Sequence, residues 1–286
     1  MCDEFTAADA ARVTRRTFTA LGGAAAVIGM NPANARSAGQ GAALSETKVS
    51  IPTANGHADA IFLHPVHGTH PGIVMWPDIA GLRDAYKIMA RRLAVAGYAV
   101  LAVNQYYRGG AAPLLSSFAQ WRTPEGQAKL APLIAALTPG AVTSDAAAYV
   151  HFLDQQPAVD RQRHIGSVGY CMGGPFAVRT AAAVPARIGA VATLHGASLV
   201  TDKPDSPHRL IAATQARYLF AIARGDDARA PGDKDALRAA AAAAHRPAEV
   251  EVYPAEHGWC TIDAPVYDHA QADRAYNREL ALFAAL

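Results

Sequence analysis

The chain has 286 residues, of which 51% are hydrophobic and 17% charged, and a formal net charge of +2. That is enough apolar material for one sizeable core and too little charge for a largely disordered polypeptide. Its Lys and Arg residues are scattered, without the basic stripe and interleaved aromatics that nucleic-acid binding requires, so a small-molecule partner is expected and a nucleic acid is not.

Residues 1–38 differ in character from the rest of the chain. Thr14-Arg15-Arg16-Thr17-Phe18 precedes a mildly apolar Gly/Ala-rich run over 21–30 and then Ala33-Asn34-Ala35. A basic start, a short apolar middle and an A-x-A site make a secretory signal, and paired arginines ahead of a Phe resemble a twin-arginine signal. The run is too short and too weakly apolar for a good membrane span, so none is expected after processing. The twin-arginine translocation machinery is therefore an expected partner, with cleavage near residue 36, a mature domain over 39–286 and a periplasmic or secreted location. That space is oxidising. The three cysteines nevertheless give no disulfide framework, because Cys2 leaves with the signal and Cys171 is a candidate nucleophile.

In the mature chain, alternating segments over 47–51 and 58–63 flank Pro52-Thr53-Ala54-Asn55-Gly56 and read as a β-hairpin at a sheet edge. Strands and helices then alternate. Apolar runs of buried-strand length cover 72–76 and 98–103, with a helix over 84–96 between them whose Ile88, Leu93 and Ala96 face the sheet. A helix over 144–153, with Ser144 as its cap, precedes strands over 165–170, 188–194, 218–222 and 250–253. Helices over 176–184 and 234–244 lie among these strands, and a last helix spans 267–286. This rhythm requires an α/β fold, a mostly parallel central sheet with helices on both faces. Two segments escape it, 108–138 and 196–214, rich in Gly, Pro and Ala or lacking a clear period. Insertions at the carboxyl ends of strands shape binding pockets.

The segment Gly169-Tyr170-Cys171-Met172-Gly173-Gly174 follows the apolar run Ile165-Gly166-Ser167-Val168. It fits the small-x-nucleophile-x-small pattern of a nucleophile elbow, with cysteine where serine usually stands. A buried strand must turn sharply into a helix there, and small neighbours leave room for the strained apex. The N–H groups of the following helix would face Cys171, favouring a thiolate and a developing oxyanion. Downstream come Arg224-Gly225-Asp226-Asp227-Ala228-Arg229-Ala230-Pro231 and then Tyr253-Pro254-Ala255-Glu256-His257-Gly258-Trp259, each after an apolar run. Nucleophile, acid, histidine is the chain order of the α/β-hydrolase fold, and either Asp226 or Asp227 could be the acid.

With these residues in this order, residues 45–286 resemble the dienelactone hydrolase family, cysteine-nucleophile members of the α/β-hydrolase fold. The resemblance implies a site of Cys171, His257 and an acid in the pattern Asp-x-x-x-Pro, which selects Asp227 with Pro231. It implies an oxyanion hole from the backbone N–H groups of Ile79 and Met172. It also implies that Asp78, where the family carries a longer Glu, supports the nucleophile. Arg108 would be one of two basic residues that hold a substrate carboxylate; the second is missing, since Gly258-Trp259-Cys260-Thr261 holds no Lys or Arg. His195 would line the pocket. The expected activity is hydrolysis of carboxylic esters or lactones, with no metal or organic cofactor. A thioesterase, or a catalytically silent binding protein on the same fold, is the alternative. His57, His64, His67 and His70 lack metal-ligand spacing and read as solvated loop residues. Cys260, three residues after His257, could form an inactivating disulfide with Cys171 if their Cα atoms approach within about 7 Å.

Overall fold

The computed structural model describes residues 43–286; the expected export signal and its cleavage site lie outside them. The hairpin forms as expected, from β1 (Leu44–Thr53) and β2 (Gly56–Pro65). β3 (Gly72–Trp76), α1 (Asp84–Val95) and β4 (Ala99–Val103) complete the first crossover. Short α2 (Phe118–Trp121) and longer α3 (Pro124–Ala136) then precede α4 (Pro139–Asp154). The elements β5 (Ile165–Tyr170), α5 (Gly173–Ala183), β6 (Ile188–Leu194), α6 (Pro207–Leu210) and β7 (Arg217–Ala223) follow. Last come α7 (Arg224–Arg229), α8 (Asp233–Ala243), β8 (Ala248–Tyr253) and α9 (His269–Phe283).

All eight strands form one sheet in the order β1-β2-β4-β3-β5-β6-β7-β8. β2 pairs antiparallel with both neighbours and every other pairing is parallel, so β2 alone runs against the rest. The strand period of two sorts the side chains onto two faces. Val74 and Trp76 of β3 join one buried cluster with Tyr149 of α4 and Phe176 of α5. Ile73 and Met75 join the other, with Tyr86 of α1 and Phe283 of α9. Burial of each such side chain contributes about 1.5–3 kcal/mol.

The departures from expectation concern local capping. α4 begins at Pro139, since the Thr138 side chain accepts from the Ala141 N–H and Pro suits the first turn, so Ser144 lies inside the helix rather than at its cap. The segment 108–138, expected to be irregular, holds α3, capped by the Thr123 hydroxyl accepting from the Gly126 N–H. Its apolar side chains Leu115 and Leu130 form a third cluster with Ala80 and Tyr106, and Leu133, Ile134 and Met172 pack against it. Thus the insertion rests on the residues that follow β3, β4 and β5. Among the described residues no single helix is long and apolar enough to cross a membrane.

Candidate active site

β5 delivers Cys171 at its carboxyl end in a left-handed conformation, φ 51°. For a residue other than glycine this costs about 1–3 kcal/mol and must be held by its surroundings. It is held on both sides: the Cys171 N–H donates to the Leu194 carbonyl at 3.1 Å, and its carbonyl accepts from the Gly174 and Ala197 N–H groups at 3.0 Å each. The two flanking glycines are sterically required. A Cβ on Gly169 would lie 1.9 Å from the Gly173 carbonyl oxygen, and one on Gly173 would lie 2.3 Å from that of Trp76.

His257 follows β8 and Asp226 sits in α7, directly after β7. The His257 Nε2 lies 3.1 Å from the Cys171 Sγ, and its Nδ1 lies 2.6 Å from an Asp226 carboxylate oxygen. Burial opposes charge on this imidazole, but its hydrogen bonds to Asp226 and Cys171 outweigh burial and raise its pKa to about 10. The expected acid, Asp227, is replaced by its neighbour. Because α7 is helical, successive side chains point about 100° apart, and Asp227 turns away to accept from the Lys234 ammonium at 2.7 and 2.9 Å. The second oxygen of Asp226 pairs with Arg229.

The segment after β3 is pinned at nearly every polar group. The Asp78 N–H donates to the Tyr86 hydroxyl, and the Asp78 carbonyl accepts from the Gly81 N–H and the Gln105 amide. The Ala80 N–H donates to the Asp78 carboxylate, and the Ile79 carbonyl accepts from the Tyr106 hydroxyl at 2.8 Å. The N–H of Ile79 has no partner among the described residues, and neither has that of Met172. These are the two donors expected to face an oxyanion.

Other expected site residues stand elsewhere. Asp78 is 1% exposed and its carboxylate is held by Arg83 at 2.8 and 3.0 Å rather than by Cys171. Arg108 is no free anchor: its guanidinium grips the buried Asp145 carboxylate with bonds of 2.8 and 2.9 Å. His195 does not line an open pocket. It is 1% exposed, at φ 42°, with its ring edge-to-face against His257 at 5.0 Å and Trp259 at 5.2 Å. Burial, and then the nearby His257, push its pKa well below the ordinary value, so it is neutral. Cys171 and Cys260 are both free thiols, and Cys260 is buried in the α1/α9 face of the core. No group of three or more His, Cys, Asp or Glu side chains among the described residues is arranged to hold a metal ion.

Sequence reasoning missed Arg83 altogether. Its guanidinium is fully buried and reaches Asp263 as well as Asp78. Burial works against its charge, yet Asp263 and Asp78 hold it firmly protonated. A spacing of five residues from Asp78 carries no signal, because the contact depends on how the loop turns before α1.

This arrangement can move a proton between sulfur and imidazole beside two free N–H donors, on the sheet of an α/β hydrolase. The profile described as "Dienelactone hydrolase family" matches residues 58–286, and the chain belongs to that family of hydrolases. It is 27% identical over 248 residues to a Salmonella typhi protein assigned as a carboxymethylenebutenolidase, covering 85% of this chain and 88% of that one. It is 28% identical over 172 residues to a Bradyrhizobium protein assigned as 2-oxo-3-(5-oxofuran-2-ylidene)propanoate lactonase, an alignment that spans 59% of this chain and 61% of that one. A Klebsiella pneumoniae structure assigned as a dienelactone hydrolase shares the fold, with TM-score 0.72 and 22% identity over 85% of this chain and all of that one. The dienelactone hydrolase of Anabaena variabilis shares it too, with TM-score 0.61 and 16% identity over 84% of this chain and 97% of that one.

Proposed function

We propose that this protein hydrolyses carboxylic esters or lactones through an acyl-Cys171 intermediate. The observation that carries this reading is the unbroken line of contacts from the Cys171 Sγ to His257 at 3.1 Å and on to Asp226 at 2.6 Å. His257 holds the proton it has taken from the thiol, and the sulfur forms a bond to the carbonyl carbon while the carbonyl π pair moves onto oxygen. The Ile79 and Met172 N–H groups receive that oxyanion. Its collapse breaks the C–O bond and the leaving oxygen takes the proton from His257. A water then gives its proton to His257, its oxygen attacks the thioester, and Cys171 leaves as the acid is released. Asp226 keeps the imidazole in the tautomer that presents Nε2 to sulfur and stabilises it when charged.

Because a thiolate is itself a good leaving group, the tetrahedral intermediate goes forward only when the oxygen also leaves readily. Activated esters, enol lactones and thioesters therefore suit this site better than amides. The names of the Bradyrhizobium and Salmonella relatives favour a lactone. Arg108 is taken by Asp145 and Arg83 by two carboxylates, so neither is free to anchor a substrate carboxylate, and a neutral ester or lactone is preferred. Hydrolysis of p-nitrophenyl acetate and of a neutral enol lactone under reducing conditions, native against Cys171→Ala, tests this. Absence of Cys171-dependent turnover on esters, lactones and thioesters alike would sink it.

Export to the periplasm is also proposed, on the strength of Arg15-Arg16 and Ala33-Asn34-Ala35. Replacing both arginines by Lys should leave precursor in the cytoplasm, whereas periplasmic protein that retains Met1 would contradict cleavage.

A further inference from the structure

We propose that Arg83 is a positioning residue for the oxyanion hole, which it sets by clamping Asp78 and Asp263 together; this rests on the acyl-transfer reading. Its guanidinium donates to both Asp78 oxygens at 2.8 and 3.0 Å, to both Asp263 oxygens at 2.8 and 2.7 Å, and to the Gly81 carbonyl at 3.0 Å. The planar donor fork of arginine can span two carboxylates and a carbonyl at once, which a lysine cannot.

Each contact reaches a different part of the site. Asp78 and Gly81 bracket Ile79, and the same Asp78 carboxylate holds the Ala80 N–H. Asp263 lies on the loop that carries His257 into α9, and it also accepts the Phe118 N–H at the start of α2. The clamp therefore joins the loop that offers the Ile79 N–H to the loop that bears the imidazole and to the edge of the insertion. The guanidinium also lies 5.1 Å from the Tyr86 ring centroid, and the hydroxyl of that ring accepts the Asp78 N–H. With Ile79 held on both sides and its own N–H unpartnered, the direction of that N–H follows from where Arg83 holds Asp78. An oxyanion hole works by being in place before charge develops, so a small rotation of one donor lowers the rate without changing substrate binding.

The test uses Asp263→Asn and Arg83→Lys in the full chain, compared at a temperature where circular dichroism shows each folded. Asp263 is partly exposed, 27% at its side chain, so its substitution is the milder one and decides the matter alone if Arg83→Lys does not fold. Three readouts are needed: kcat and KM on p-nitrophenyl acetate, the inhibition constant of an aryl trifluoromethyl ketone that forms an oxyanion adduct with a cysteine, and the rate of Cys171 alkylation by iodoacetamide. Alkylation depends on the sulfur–imidazole pair and places no charge on an oxygen. The expected result is a kcat about tenfold lower, a fraction of the 10²–10³ lost when a donor is removed outright. The ketone should weaken by a similar factor, while KM and the alkylation rate stay within about twofold. Unchanged kcat and ketone affinity in a folded variant would overturn the proposal, as would an alkylation rate that falls in step with kcat. If the native protein is alkylated at Cys171 but hydrolyses no ester, lactone or thioester, the acyl-transfer reading fails, and the ketone still reports on the clamp.

Discussion

Two carboxylate–cation assemblies serve the loops around Cys171, and they are built in opposite ways. Asp226 and His257 have side chains 22% and 32% exposed, whereas those of Asp78 and Arg83 are 2% and 0% exposed. In the proposed mechanism the first pair changes charge in every turnover, and it is reached by water. The second pair is sealed, and a guanidinium keeps its proton at every accessible pH. A charge that only fixes geometry can be buried, where salt does not screen it, at a desolvation cost that close pairing of each ion offsets.

The largest effects should come from breaking the mobile assembly. Cys171→Ala and His257→Ala should each abolish turnover, and Asp226→Asn should lower kcat by about 10⁴-fold, as loss of the orienting carboxylate does in a serine triad. Asp227→Asn should change kcat little, since its partner is Lys234; a large loss there and none at Asp226 would reverse the assignment. The pH profile sharpens the point. His257 holds its proton up to about 10, with burial outweighed by Asp226 and Cys171, so kcat/KM for esters of poor leaving groups should fall as pH rises through that value. Removing Asp226 lowers the imidazole pKa and must move this limb to lower pH.

Breaking the sealed assembly should cost stability first. Asp78→Ala leaves the Arg83 guanidinium short of a partner inside the protein, a loss of about 3–5 kcal/mol for a buried ion pair, measurable by chemical denaturation. A smaller loss, up to about 3 kcal/mol, is expected for Arg108→Ala, which strands the Asp145 carboxylate although the Tyr107 hydroxyl still donates to it. The ratio of kcat/KM for an anionic and a neutral lactone of matched size should not move in Arg108→Ala; a collapse of activity on the anionic lactone alone would show that Arg108 does contact substrate.

A last effect lies away from both assemblies and depends on pH. Glu279 of α9 is 2% exposed, and burial, opposed by Arg92, raises its pKa from the ordinary 4.5 to about 8. The folded chain thus keeps a proton that the unfolded chain gives up. Its contribution is neutral below about 4.5, grows more destabilising as pH rises toward 8, and is fully unfavourable above that. Glu279→Gln should raise Tm above pH 8 and leave it unchanged near pH 4; equal shifts at both would mean that packing, not ionisation, is responsible.

The alternation of strands and helices was legible because buried strands announce themselves as short apolar runs, and the elbow because Gly169 and Gly173 have no steric substitute. His257 could be found from its place after a strand. The choice between Asp226 and Asp227 could not be made from the pattern Asp-x-x-x-Pro, because the helical path of α7, about 100° of rotation per residue, decides which carboxylate meets the imidazole. Arg108 was misassigned because its buried partner, Asp145, lies 37 residues away on α4. Arg83 and His195 were hard to assign for a related reason: the surroundings that define them are assembled from distant loops and leave no local spacing to read.

The insertion leans on Ala80, which follows Ile79 in the chain, on Tyr106, whose hydroxyl donates to the Ile79 carbonyl, and on Met172. Loop exchange between relatives is usually undertaken as a change of substrate preference alone. In this chain a transplanted 108–138 segment would also replace the ground on which both amide donors stand and reset the position of the residue 118 backbone N–H that donates to Asp263. On the proposed mechanism, a graft that keeps Leu115, Phe118 and Leu130 should retain its rate where one that discards them should not.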